Sequence, residues 1–296
     1  MKLGKKLERD LRGWSLASPY LLAAILFFLI PLGWSLTLVF SEWNLISPVR
    51  KYVGLDNFLE ALTSARVRSA LLVTYKFLAI IVPSVVVVSL CLALIIQHIP
   101  RMKQLFAVGY FLPYLASGVA IGLVVRGVLS YDSPFNTFLR SAFGSSPHWL
   151  RDPFWAVLVI SSMIVWKLSG YYALIFLAGL QAIPRELYEA AALDGAGPLT
   201  QFRSITLPLL YPAFYTVLIL AIGLTFGIFT EPYVLTGGGP RFATHTWQLE
   251  IYYQAFERFR AGYGSTVAVL NAVVTFVSIL VVRRLVEYWG KRLGVR

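Results

Sequence analysis

Long apolar runs, separated by short polar, basic or glycine- and proline-rich segments, set the pattern of this chain. Crossing the hydrocarbon of a bilayer takes about 20 consecutive apolar residues. Six stretches are long enough: 15–40, 70–97, 105–129, 154–180, 209–235 and 264–282. The pattern therefore predicts an all-α integral membrane protein with six transmembrane helices. Pro31, Pro83 and Pro113 fall inside three of the stretches. A soluble helix tolerates an interior proline badly, whereas neighbouring groups in a membrane bundle re-satisfy the freed backbone. The basic start, MKLGKKLERDLRGW, leads into residues 13–41 without a charge. That is longer than the roughly 7 to 15 apolar residues of a secretory signal, and no A-x-A site closes it, so it reads as an uncleaved first helix.

Composition agrees: 58% of residues are hydrophobic and 14% charged, against about 25% charged in soluble domains. A net charge of +12 would suggest nucleic acid in a soluble protein, but basic residues also collect on the cytoplasmic flanks of membrane helices. An even number of spans puts both termini on one side. That side holds Lys2, Lys5, Lys6, Arg9, Arg101, Lys103, Arg185, Arg203, Arg283 and Arg284, and more Lys and Arg in less loop than the other. Positive-inside thus places both termini in the cytoplasm and removes the motive for a nucleic-acid reading. The organisation expected is a cytoplasmic segment 1–13, one membrane domain 14–286 and a cytoplasmic tail 287–296. The single cysteine, Cys91, excludes an internal disulfide.

Catalysis has little support. His98, His148 and His245 lie in separate segments, with no H-E-x-x-H and no P-loop, so neither a metal nor a nucleotide or other cofactor is expected. Ionisable residues inside the spans are Lys76, Arg126, Lys167 and Glu231. Lys76, Arg126 and Glu231 sit within about two turns of span ends, where long side chains reach the interface. Lys167 is deeper; pairing with a partner subunit or with backbone carbonyls suits it.

Between two spans lies ELYEAAALDGAG, residues 186–197. Pro184 suits a first helical position, Glu186 and Glu189 complement the positive helix start, Gly195 supplies a left-handed end, and Pro208 stops the next helical piece. Leu187, Ala190, Ala191 and Asp194 share one mostly small face. A helix of about ten residues is unstable alone in water and needs something to dock on.

Farther along, Phe226, Phe229 and Tyr233 recur at i, i+3, i+7 beside Thr230 in the fifth span, and Asn271, Thr275 and Ser278 at i, i+4, i+7 in the sixth. At 1.5 Å per residue Asn271 lies about 10 Å, and Phe229 about 9 Å, below the outer ends of their helices. One aromatic and one polar stripe could therefore meet at a common depth and line a cavity with stacking faces and hydrogen-bonding groups; the alternative is ordinary packing, with Asn271 hydrogen-bonding a neighbouring helix.

Glu189-Ala190-Ala191, Gly195, then Ile205-Thr206-Leu207-Pro208 resemble the cytoplasmic EAA motif of permease subunits of binding-protein-dependent ABC importers. Leu235-Thr236-Gly237-Gly238-Gly239-Pro240, Thr244, Tyr252, Ala255-Phe256 and Gly262-Tyr263-Gly264 are similar to the outer loop of carbohydrate-type permeases. Ser18-Pro19-Tyr20-Leu21-Leu22 and Val53-Gly54-Leu55-Asp56-Asn57-Phe58 are similar to the maltose-type first subunit.

The resemblance implies a type I importer permease fold with six helices and an EAA coupling loop at 181–208. There Glu189, Ala190, Ala191, Asp194, Gly195, Ile205, Leu207 and Pro208 would meet an ATPase, and Phe229, Tyr233 and Asn271 would be the candidate sugar contacts. It implies a second permease, two ABC ATPase subunits carrying the ATP hydrolysis, and an extracytoplasmic binding protein that delivers a sugar. The rival is a self-sufficient secondary carrier or channel using Lys167 and Glu231 as coupling charges; the internal repeats common in such carriers are not visible.

Overall fold

The computed structural model describes residues 2–99 and 101–292, so the last four residues of the tail expected at 287–296 lie outside the described residues. Among the described residues, four helices are each long and apolar enough to cross a membrane, within Gly13–Leu38, Ala65–His98, Pro153–Gln181 and Ala261–Tyr288. Two further pairs of helices, each strongly bent at a short break, bring the number of candidate spans to six when each pair counts as one, the third and the fifth. The fourth begins cleanly because Asp152 caps it, its Oδ1 accepting the N–H of Phe154 at 2.9 Å and of Trp155 at 3.1 Å. The last helix continues to Arg292, well beyond the apolar stretch that announced it.

Proline is handled in two ways. Pro83 sits inside the 34-residue helix Ala65–His98 without ending it. Before Pro31 a π-helical turn, Ile25–Leu29, lets the Ile30 N–H bond the Ile25 carbonyl. Before Pro208 the turn Phe202–Thr206 does the same, with Leu207 N–H bonding Phe202. In both, widening the helix by one residue accommodates the ring that would otherwise strike the preceding turn.

The third and fifth stretches are not the continuous helices that hydropathy suggests. Lys103–Leu115 and Gly118–Val128 meet at 87°. Pro113 has no N–H to continue the first, and Ser117 caps the second, its Oγ 3.5 Å from the Ala120 N–H. Where the loop 181–208 meets the fifth stretch, Pro198–Leu209 and Tyr211–Phe226 meet at 62°. The helix then stops at Gly227 instead of running to 235, and a short helix, Thr230–Thr236, starts afresh. Pro232 fits the first turn of that new helix, where its missing N–H is not needed.

Contacts divide the chain into two compact units, residues 1–64 with 251–269, and 65–250 with 270–296. In the larger, helices Ala65–His98, Pro153–Gln181 and Tyr211–Phe226 enclose Val85, Tyr172, Phe176, Leu210, Ile222 and Phe226. Lipid is as apolar as these side chains, so close packing rather than escape from water holds membrane helices together. Gly170 shows what that demands: a Cβ there would collide with the Tyr110 carbonyl, so only glycine lets helices Lys103–Leu115 and Pro153–Gln181 meet backbone to backbone. In the smaller unit the two-residue strands Ser41–Glu42 and Lys51–Tyr52 pair antiparallel. Beside them buried Asn57 donates to the carbonyls of Val39 at 2.9 Å and Ser41 at 3.0 Å, fixing helix Asp56–Thr63.

From that helix Glu60 forms a two-pronged pair with Arg260, at 2.7 and 2.6 Å. The hydrogen bond from Arg260 holds the Glu60 carboxyl below its ordinary range. A depressed carboxylate pKa contributes stability above its unfolded value, lost as pH falls through the folded one. Local protection of the amides of helix Asp56–Thr63 against hydrogen exchange should therefore fall on acidification below about pH 4.5. Because both partners are partly exposed, the loss should stay under about 1 kcal/mol. In Glu60→Gln the same amides should show no such step.

Candidate functional site

The segment between the fourth and fifth spans folds as the local turn chemistry requires. A helix runs from Arg185 to Leu193, with Pro184 as its extended N-cap (φ −60°, ψ 136°) instead of its first helical residue. Gly195 has φ +80°, and two bonds close the helix: Gly195 N–H to Ala192 O at 3.0 Å and Ala196 N–H to Ala191 O at 2.8 Å. This is a Schellman end, which a β-carbon at Gly195 would strain.

Tyr188 and Thr206 share a hydroxyl hydrogen bond of 2.9 Å, and Ile205 and Tyr188 pack against the core. Leu207 and Pro208 form the next turn. Glu189, Ala190 and Asp194 are exposed and Ala191 half-buried. Leu193 is 91% exposed. The predicted face includes the exposed Leu187 but misses Leu193, the more exposed leucine, whose exposure depends on tertiary packing that spacing does not report.

Halfway along the fourth span, Lys167 Nζ lies 3.4 Å from Glu231 Oε1, their side chains only 18% and 11% exposed. Lys167 therefore pairs within its own chain instead of with a partner subunit or carbonyls, and Glu231, in the first turn of the short helix Thr230–Thr236, is buried instead of reaching an interface. Gly118 completes the joint: a Cβ there would stand 3.0 Å from Lys167 Nζ and 3.2 Å from Glu231 Oε1. Both broken spans thus converge on one ion pair, with the Glu231 carboxylate at a positive helix end. Lys76 is exposed, and Arg126 reaches the Val234 carbonyl at 3.5 Å.

Phe229 and Tyr233 are brought together, rings stacked at 5.1 Å and 16°. Phe226 is not part of that stripe, because the helix ends there; it is buried and meets Tyr75 edge-on at 5.5 Å. The depth predicted for Phe229 from a continuous helix no longer applies. Asn271 lies on the last helix with its Oδ1 buried and without a hydrogen-bond partner. Of the polar stripe, Thr275 turns its hydroxyl to the Asn271 carbonyl at 2.7 Å, whereas Ser278 shares a bond of 2.8 Å with Tyr75. Tyr75 was not singled out in the sequence, where one tyrosine in an apolar run carries no signal.

The glycine-rich segment after Thr236 is equally ordered. Gly238, at φ +87°, leaves room for the His245 ring, and Thr244 donates to the Gly239 carbonyl at 2.7 Å. Glu250, fully buried, lies 2.6 Å from His245 Nε2 and 2.8 Å from Arg66 Nε.

A buried pair that loses one member leaves an uncompensated charge, at a cost of about 3–5 kcal/mol, while an apolar replacement of both is often tolerated. Lys167→Met and Glu231→Leu should each lower the thermal midpoint of the purified protein, and the double variant should recover most of the loss. Additive losses would show that the two residues act independently.

The family model described as binding-protein-dependent transport system inner membrane component matches residues 15–295. The lactose transport system permease protein LacF of Rhizobium radiobacter is 32% identical over 278 residues, 92% of this chain and 92% of its own. The trehalose/maltose transport system permease protein MalF of Thermococcus litoralis is 31% identical over 269 residues, covering 90% of each. Among solved structures, a bacterial alginate ABC transporter in complex with an alginate pentasaccharide-bound periplasmic protein superimposes with a TM-score of 0.82 at 22% identity, over 99% of this chain and 98% of that one. The chain belongs to the inner-membrane permease family of binding-protein-dependent ABC transport systems.

Proposed function

We propose that this chain is the maltose-type first permease of an ATP-driven importer of a sugar or sugar derivative. In this reading it pairs with a second, non-identical permease and two ABC ATPase subunits that hydrolyse the ATP, and receives its cargo from an extracytoplasmic binding protein. The observation that carries the reading is the loop helix Arg185–Leu193: rigidly capped, tied to the bundle through Tyr188, and holding Leu193 out almost wholly exposed. An exposed apolar anchor on a short helix is suited to a protein partner. Relatives that carry lactose, trehalose and maltose in their names support the sugar.

Both termini are assigned to the cytoplasm, with residues 14–286 as the membrane domain flanked by segments 1–13 and 287–296. The loop 181–208 then couples to the ATPase through Glu189, Ala190, Ala191, Asp194, Gly195, Ile205, Leu207 and Pro208. Coupling requires that the helix bind one arrangement of the ATPase better than another. Gly195→Val, which opposes the left-handed end, Glu189→Lys and Leu193→Asp should each insert normally yet weaken ATPase co-purification or uncouple hydrolysis from uptake in proteoliposomes. Normal ATP-driven uptake in all three would refute the assignment.

Phe229 and Tyr233 offer a sugar an aromatic face, and Asn271 an unused buried acceptor. A buried carbonyl without a donor is costly unless something visits it, which a sugar hydroxyl would do. Alanine at each position should reduce uptake by about tenfold, the cost of roughly 1.4 kcal/mol of lost transition-state binding, while assembly with the partner subunits persists. Uptake equal to the parent across substrate concentrations would remove these residues from the path.

A further inference from the structure

At the end of the larger unit opposite the loop helix, a cavity of about 760 Å³ lies among Arg126, Tyr131, Asp132, Trp149, Arg151 and Tyr233. It is large enough for a disaccharide and has an aromatic lining, including the Tyr233 that stacks on Phe229. Its charge is uneven. Two arginines and one carboxylate, Asp132, line it, and neither Arg126 nor Arg151 forms an ion pair among the described residues. Arg126 is held from behind by the Val234 carbonyl at 3.5 Å, in the same short helix that presents Tyr233 and Glu231.

Guanidinium is the group for two-pronged recognition of carboxylate and phosphate, and aromatic rings accept the apolar face of a pyranose. A neutral sugar would use the rings and leave both forks to water. Combining the two features, and resting on the importer reading above, we propose that this cavity is an entry subsite for an acidic glycosyl unit. The oxyanion, a uronate carboxylate or a phosphate ester, sits between Arg126 and Arg151, and the ring lies against Trp149 and Tyr233.

The test uses the assembled transporter in phosphatidylcholine nanodiscs, titrated with digalacturonate, glucose 1-phosphate and neutral cellobiose. The proposal expects at least one acidic probe to bind about tenfold or more tighter than cellobiose, with the preference shrinking at high salt. Which acidic probe binds identifies the oxyanion. In Arg126→Gln/Arg151→Gln the preference should vanish, while Arg126→Lys/Arg151→Lys retains part of it.

Equal binding of acidic and neutral probes, or an unchanged preference in the glutamine variant, overturns the proposal. So does phosphatidylglycerol, included in the disc, taking the site by an arginine-dependent contact that digalacturonate does not displace; the cavity would then hold a lipid headgroup. Should the glutamine variant fail to assemble, salt titration and lipid competition on the parent complex still decide. Failure of the importer reading looks different: no ATP-driven uptake of any sugar with the binding protein present. Acidic sugar uptake unaffected by the arginine changes would sink this inference alone.

Discussion

Where a helix breaks inside hydrocarbon, no water is present to satisfy the freed backbone, so the protein must do it. Two of the six spans break, and the surroundings of both breaks are built accordingly. Ser117 caps the restart of the third span. At the break of the fifth, the Thr246 hydroxyl donates to the Ile228 carbonyl at 2.8 Å in a buried setting. Between them sit Lys167 and Glu231. The pair does not add stability in any simple sense, since burying two charges costs several kcal/mol each before their attraction returns it. It instead specifies which pieces meet: the carboxylate is best placed at a positive helix end, the ammonium within reach of it, and Gly118 leaves room for both.

Much of the fold was legible because its signals are local. Twenty apolar residues announce a span whatever surrounds them, and Gly195 announces a left-handed helix end because side chains oppose that conformation. The breaks were not legible from hydropathy, which averages over windows longer than the break. Pro113 was ambiguous, as Pro83 lies within an unbroken helix and Pro31 is absorbed by a π-helical turn. At Pro232 the structure shows what a break resolves: in a continuous fifth helix its missing N–H would orphan the Ile228 carbonyl, the very group that Thr246 satisfies.

The site divides the same way. The loop helix follows from capping rules, so its ends could be placed within a residue. Leu193's exposure, the Tyr75 and Ser278 bond, and the pairing of Lys167 with Glu231 could not, because they join residues distant in the chain. Lys167 and Glu231 are 64 positions apart, Tyr75 and Ser278 are 203. Periodicity failed for Phe226, Phe229 and Tyr233 for a related reason. A 3.6-residue stripe presupposes one helix, and Gly227 ends it; the stack of Phe229 on Tyr233 survives because it spans only the first turn after the break.

The helix Pro153–Gln181 connects these features mechanically. One end leads directly into the loop helix, whose Tyr188 is tied to Thr206; Gly170 locks its backbone to helix Lys103–Leu115; and Lys167 holds the short helix bearing Tyr233. Packed interiors switch between discrete arrangements more readily than they deform. A partner that shifts the loop helix would therefore move this span as a body, and the broken spans, packed against it through the Lys167–Glu231 pair, the Gly170 contact and the Tyr114–Tyr171 and Phe176–Phe214 ring contacts, are where the bundle has fewest continuous backbone bonds to resist. On the importer reading, the breaks become the hinge, and the aromatic stack beside them is carried by the element that turns.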